Sequence, residues 1–246
     1  MTGMYSAVHD LILDGRDLRV FSNGTGRPIL FLHDLGSSAA AFEQLTRPVV
    51  RAGRELVAVD LPGCGHSDPV GTELSGYVDH LVQALPQLAG EPLDLVGHGF
   101  GGYLAASVAA ARPAEICTLV LSQPLLPPRS GPAMQTRMSP GMAVSGALTT
   151  LRRGKLRQNL GGYSRARSAL EQLSQTDEIW WEELSRITAR TLVLGCAGES
   201  AGERALLDQL AAAVPNGMRN TVRGGRRPYA DDPEDFAGFV LDWVCT

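Results

Sequence analysis

The segment Leu93–Gly102, reading Leu-Asp-Leu-Val-Gly-His-Gly-Phe-Gly-Gly, constrains this chain more than any other. An apolar run with strand character enters a turn carrying glycine at 97, 99 and 101, and an alanine-rich helical pattern follows over Phe100–Ala111. A strand that turns sharply into a helix is the repeating unit of a parallel sheet covered by helices. A turn this tight is strained for any residue with a Cβ, and a central glycine relieves that strain. The sequence thus asks for an α/β architecture with Gly99 at the apex of a strand–helix turn.

The rest of the chain keeps the same alternation. A hairpin is predicted over His9–Asn23 with Asp14-Gly15 as its turn. Buried strands are predicted at Ile29–His33, Glu55–Asp60, Leu93–Gly97, Ile116–Ser122 and Thr191–Gly195, each rich in Val, Leu and Ile and poor in charge. A more polar edge strand follows at Met218–Val222. Amphipathic patterns place helices at Ser38–Ala52, Leu74–Leu88, Glu203–Ala213 and Pro233–Val244. Ser200 with Glu203 forms a capping box, and Asp232 caps the last helix with Pro233 at its first position. The fold class predicted is an eight-stranded, mostly parallel sheet with helices on both faces. From 124 to 185 the alternation breaks into a Pro/Gly/Ser-rich stretch and one helix around Arg165–Arg186. We read 124–185 as a small cap (lid) inserted into a core formed by 1–123 and 186–246.

At 246 residues, with 44% hydrophobic and 20% charged content, the chain fits one soluble α/β domain. No run approaches 18 apolar residues, which excludes a membrane span. The first ten residues lack a basic-then-apolar leader, so a cytoplasmic location is expected. The four cysteines have no metal-ligand spacing and make no disulfide framework, so no metal and no cofactor are expected. Cys117 and Cys196 lie in strand-like runs and read as buried thiols. Charge is uneven. Residues 124–170 hold eight basic side chains (Arg129, Arg137, Arg152, Arg153, Lys155, Arg157, Arg165, Arg167) and no Asp or Glu, leaving 14 basic against 26 acidic residues elsewhere. This is either a solvated insert or an electropositive lid over an anion site. An acidic chain with little aromatic interleaving in its basic stretch is not a nucleic-acid binder.

Four segments occur in order. Phe31-Leu32-His33-Asp34-Leu35-Gly36-Ser37-Ser38 resembles an H-G-x-G oxyanion loop, and Asp60-Leu61-Pro62-Gly63-Cys64-Gly65-His66-Ser67-Asp68 a D-x-P-G-x-G-x-S turn. Gly97-His98-Gly99-Phe100-Gly101 resembles the G-x-S-x-G nucleophile elbow, and Gly224–Pro233 a G-H-x-x-x-x-E-x-P segment. Together they resemble the α/β-hydrolase superfamily, in its small-lidded branch of esterases, C–C hydrolases and lyases. Position by position, that resemblance puts Gly99 where the serine nucleophile stands and Arg226 where the histidine stands. Glu199 is an offset match to the acid. It also implies an oxyanion hole built from the Leu35 and Phe100 amides. Asp34 replaces the loop's usual glycine, as a side chain that narrows the hole or supplies an acid or base.

A serine nucleophile needs a base beside it, and that base needs orienting. With two of the three parts missing, serine-type acyl transfer is excluded. The leading expectation is a non-hydrolytic enzyme (lyase, decarboxylase, isomerase or cyclase) acting on a small anionic or carbonyl-bearing molecule. Asp34, Glu199 and His98 are its candidate catalytic groups, with His33, Gly99, Arg226 and Trp180 around the substrate. His33 and His98 read equally as hydrogen-bonding scaffold, and His66 as a surface turn residue. Arg226 is expected to point inward between the Leu35 and Phe100 amides. The competing expectation is an inactive pseudo-hydrolase that binds a ligand or partner, a carrier protein or a second copy of the chain included. A hydrolase working through Cys64, or through water activated by Glu199 or Asp34, ranks third.

Overall fold

The structure is a computed structural model that describes residues 5–89, 92–129 and 156–245. Eight strands form one sheet: β1 (Ala7–Leu13), β2 (Arg16–Asn23), β3 (Pro28–Leu32), β4 (Glu55–Val59), β5 (Leu93–His98), β6 (Ile116–Ser122), β7 (Arg190–Cys196) and β8 (Gly217–Val222). Their spatial order is β1-β2-β4-β3-β5-β6-β7-β8. Strands β1 and β2 pair antiparallel, as do β2 and β4, and every other neighbouring pair is parallel. Asp14 and Gly15 turn the first hairpin with φ of 50° and 73°, the left-handed pair that a two-residue hairpin loop requires.

The apolar strands bury both faces. In β3, Leu30 and Leu32 pack into one core while Ile29 and Phe31 pack into the other. The same alternation separates Leu119 and Leu121 from Val120 in β6. The first core is covered by α2 (Leu74–Leu88) and α3 (Phe100–Ala111), the second by α8 (Pro233–Val244) and a 3-10 segment (Ala39–Leu45) running into α1 (Thr46–Arg51). Strand β8 is half exposed, as suits an edge.

Two predicted helices are divided. The helix expected over Ser38–Ala52 is a 3-10 segment followed by α1, because Pro48 has no N–H to give and would clash inside a continuous helix. The helix expected around Arg165–Arg186 is α4 (Leu156–Leu173), then α5 (Glu178–Glu183) and a 3-10 turn. Asp177 starts α5 by accepting from the Trp180 N–H at 2.9 Å. Both helices lie between β6 and β7. Of the basic stretch, Arg137, Arg152, Arg153 and Lys155 lie outside the described residues. Helix α6 (Ala201–Ala213) carries the Ser200/Glu203 capping box, and α7 (Pro228–Asp231) precedes α8. Among the described residues no helix is long and apolar enough to cross a membrane.

Candidate active site at the β5–α3 turn

The loops after β3, β4, β5, β6, β7 and β8 gather at one end of the sheet, where ligands of open α/β sheets bind. Gly99 lies at the centre of that end, between β5 and α3, with φ +57° and ψ −119°. The backbones meet here directly. A Cβ at Gly97 would stand 2.2 Å from the Gly101 carbonyl oxygen, and one at Gly101 2.2 Å from that of Leu32. Only glycine permits that approach between β3, the turn and α3.

Asp34 occupies the space above Gly99. A Cβ at Gly99 would lie 2.2 Å from the Asp34 Cγ. The Leu35 N–H donates to Asp34 Oδ1 at 2.8 Å, and the Phe100 N–H donates to the same oxygen at 2.7 Å. These are the two amides expected to form an open oxyanion hole. That expectation is corrected: with no side chain at Gly99, the Asp34 carboxylate folds back over the turn and takes both donors. Asp34 Oδ2 has no hydrogen-bond partner among the described residues. Burial raises the Asp34 pKa above its ordinary value, and the two amide bonds offset only part of that rise.

His33 and His98 are scaffold in this geometry. His33 Nε2 accepts from the Leu61 N–H at 2.9 Å, so Nδ1 carries the proton and donates to the Asp34 carbonyl at 2.8 Å. His33 thus ties the β3 loop to the β4 loop as a neutral ring, its pKa lowered by burial. His98 is buried at the end of β5, its Nδ1 sharing a 3.1 Å hydrogen bond with Ser122 Oγ. Burial, then the Arg227 charge, lower its pKa to about 4, so it too is neutral near pH 7. His66 is part-buried rather than a free surface residue. Its N–H donates to Asp60 Oδ2 at 2.8 Å, while Asp60 Oδ1 accepts from Ala39.

The other candidates are held away from Asp34. Glu199 Oε1 accepts from the Cys196 N–H at 2.6 Å, and Oε2 pairs with Arg219 at 2.6 Å. Both oxygens brace the β7 and β8 strand ends, and the side chain is only 4% exposed. Arg226 does not point inward. Its guanidinium pairs with Glu203 on the first turn of α6, and the side chain is 69% exposed. A surface carboxylate at a helix start is a less costly partner for a guanidinium than a buried site would be.

Trp180 stacks on Tyr103 with ring centroids 5.2 Å apart and donates to Ser107 Oγ at 2.8 Å. It belongs to an aromatic row with Phe100 and Tyr77, and it borders a groove of about 510 Å³ on the flank of α2 and α3 rather than the turn. Neither Asp34 nor Gly99 lines that groove.

Cys64 accepts from the Gly36 N–H, and burial, with the Asp60 charge, pushes its thiol up to about 12. It is a thiol at neutral pH, which removes the nucleophilic role considered for it. Cys196 is buried as expected, whereas Cys117 is part-exposed. Arg165 of α4 donates to the Gly63 carbonyl at 3.3 Å, beside Cys64.

Tyr229, which the sequence reading did not single out, lies beside His98. Its ring packs edge-on against His98 at 4.8 Å and Phe42 at 5.2 Å. Burial, then the Asp34 charge, push the phenol up to about 12. Its place in the Gly224–Pro233 segment, three residues past Arg226, was the available signal.

Residues 29–239 match the family described as "Alpha/beta hydrolase family". The chain belongs to the alpha/beta hydrolase family. It is 32% identical over 117 residues to a 2-hydroxymuconate semialdehyde hydrolase of Pseudomonas sp. (strain CF600), covering 46% of this chain and 41% of that protein. It is 35% identical over 116 residues to a 2-hydroxy-6-oxononadienedioate/2-hydroxy-6-oxononatrienedioate hydrolase of Cupriavidus pinatubonensis (strain JMP 134 / LMG 1197), covering 43% and 39%. The match thus spans about two fifths of these relatives. Among solved structures, a serine hydrolase involved in carbazole degradation superposes with TM-score 0.78 at 15% identity, covering 97% of this chain and 98% of that one. The thioesterase domain from the curacin biosynthetic pathway superposes with TM-score 0.73 at 20% identity, covering 96% and 99%. Identities this low carry the fold and not the chemistry.

Proposed function

We propose that this alpha/beta hydrolase family member is a non-hydrolytic proton-transfer enzyme, of the isomerase, lyase or cyclase kind, with Asp34 as its acid–base group. In this reading Gly99 and Arg226 stand at the family's serine and histidine positions, and 124–185 is the cap. The observation that carries it is the double donation from the Leu35 and Phe100 amides to one Asp34 oxygen, which leaves the other oxygen without a partner over Gly99. Two fixed donors orient the carboxylate, and burial makes it a stronger base than an exposed aspartate. A carboxylate that removes a proton from carbon needs no covalent nucleophile and no histidine. The matched relatives are named for oxo-dienedioates and a semialdehyde, which favours a carbonyl-bearing acid as substrate. Arg165, beside Gly63 and Cys64, suits its carboxylate end.

The test is hydrogen–deuterium exchange into a panel of small oxo acids followed by proton NMR, beside fluorophosphonate labelling. Exchange that Asp34→Asn abolishes, with no serine labelled, is the expected result. Stoichiometric serine labelling overturns the reading. A second reading, binding without turnover, draws on the same filled amides. It predicts equilibrium binding of an oxo acid with no exchange in the wild-type protein.

A further inference from the structure

The Asp34 carboxylate removes from the site the donors that would meet negative charge on a substrate. Both amides end on Asp34 Oδ1, so an enolate oxygen forming beside Asp34 Oδ2 must find its hydrogen bond elsewhere. His33 cannot supply it, since its only N–H is spent on the Asp34 carbonyl. His98 faces Ser122. Cys64 offers only a weak S–H donor.

Tyr229 remains. Its ring is clamped between Phe42 and His98, with Phe236 at 6.3 Å, so its hydroxyl is held with little freedom. That hydroxyl has no hydrogen-bond partner among the described residues and reaches solvent. His98, on which the ring rests edge-on, adjoins Gly99, whose Cβ position the Asp34 carboxylate covers. Asp34 and Tyr229, whose Oδ2 and Oη have no hydrogen-bond partner among the described residues, therefore flank the same two-residue stretch.

We propose that Tyr229 is the second catalytic residue, its hydroxyl donating to the carbonyl oxygen of a substrate whose adjacent carbon gives a proton to Asp34 Oδ2. This rests on the proton-transfer reading above and narrows the substrate to a carbonyl compound with an acidic α-C–H. In the step, the C–H bond breaks and its electron pair becomes the C=C π bond. The C=O π pair moves onto oxygen, where the Tyr229 O–H holds it, and an O–H bond forms on Asp34. Return of that proton to the same or a conjugated carbon completes exchange or isomerisation with no redox partner. The Asp34 charge, which helps hold the Tyr229 phenol up near 12, keeps it protonated and donating across the physiological range.

The experiment uses the whole chain, with 2-oxoglutarate and levulinate as probes in deuterated buffer, and tyrosine labelled with carbon-13 at Cζ. Tyr229→Phe keeps every ring contact and deletes only the hydroxyl. The expected result is a fall in exchange kcat of about 100-fold in Tyr229→Phe with KM nearly unchanged, near the loss seen for one oxyanion donor. Asp34→Asn should abolish exchange and lower the Tyr229 titration midpoint. Exchange lost in Asp34→Asn but within threefold of wild type in Tyr229→Phe overturns the role of Tyr229 and leaves the proton-transfer reading standing. A Tyr229 midpoint that does not move in Asp34→Asn overturns the pairing of the two groups. Wild-type protein that exchanges neither probe overturns the proton-transfer reading and the role built on it.

Discussion

Two aspartates at opposite ends of the sheet show how differently a carboxylate can be compensated. Asp94, at the start of β5, is fully buried and saturated. Arg27 Nη2 and Thr118 Oγ1 donate to Oδ1 at 2.9 and 2.7 Å, and Arg54 pairs with Oδ2. Arg54 in turn donates to the Arg27 carbonyl and lies 3.7 Å from the Cys245 sulfur, so the cluster ties together the β3, β4, β5, β6 and C-terminal segments. Asp34, at the other end, has two neutral amide donors on one oxygen, no cation bonded to it, and nothing on the second oxygen. The charge of Asp94 is compensated in full, while that of Asp34 is compensated in part. A fully compensated carboxylate ties segments together, and a partly compensated one keeps an oxygen open to another group.

The sharpest way to break this comparison is to remove Asp94. Asp94→Ala leaves Arg54 buried without its partner and should cost roughly 3–5 kcal/mol, measured by urea unfolding. A loss under about 1 kcal/mol would mean that the cluster is not structural. Next comes acid. The folded pKa of His98 lies below its unfolded value of about 6.5, so its neutral form contributes stability above pH 6.5 that is lost as pH falls through about 4. That linkage amounts to roughly 3 kcal/mol in wild type, and thermal unfolding of His98→Gln across pH 7 to 4 should be correspondingly flatter.

Gly99→Ser should destabilise by roughly 1–3 kcal/mol through its positive φ, and by more where its Cβ meets Asp34. It should also fail to gain fluorophosphonate reactivity. Labelling of the introduced hydroxyl in Gly99→Ser would show that the turn can be re-armed without a histidine.

Asp34→Asn should act in the opposite direction to Asp94→Ala. The folded pKa of Asp34 is raised, so its burial costs nothing below the unfolded carboxylate range and costs most once pH rises past the folded value. The amide oxygen of Asn still accepts from Leu35 and Phe100. The variant should therefore melt a few degrees higher at pH 7, where each ~1 kcal/mol moves Tm by roughly 2–4 °C, with the gain vanishing in acid. The smallest effect belongs to Arg226→Ala. Loss of an exposed pair with Glu203 should change stability by less than about 1 kcal/mol and leave oxo-acid exchange intact.

Most of the fold is legible in the sequence, because apolar runs and glycine turns encode strands buried on both faces. Both Leu74–Leu88 and Pro233–Val244 are read to the residue. Pro48 and Asp177 divided two helices that hydrophobic periodicity alone had joined. The site was legible by address and not by direction. Position named the Leu35 and Phe100 amides, which converge on one oxygen, but it could not say that this oxygen would belong to Asp34, since that depends on the chain closing over Gly99 in three dimensions. Arg226 and Glu199 failed for a shared reason. Each found a partner of opposite charge, Glu203 and Arg219, that is remote in sequence. Asp94 was read only as part of a strand, because its arginines come from loops 40 and 67 residues away.

The aromatic row beside α3 gives the molecule a built-in optical gauge. Trp180 and Trp181 stand nearly perpendicular, 89° between planes and 5.3 Å between centroids. One indole N–H reaches Ser107 on the core helix and the other the Pro127 carbonyl. Neighbouring indoles at that spacing share their excitation, so their near-ultraviolet dichroism depends on the angle between them. A shift of α5 that breaks one of these two anchors and keeps the other frees one indole to turn against its neighbour, and would be written into the spectrum without a dye or a substrate.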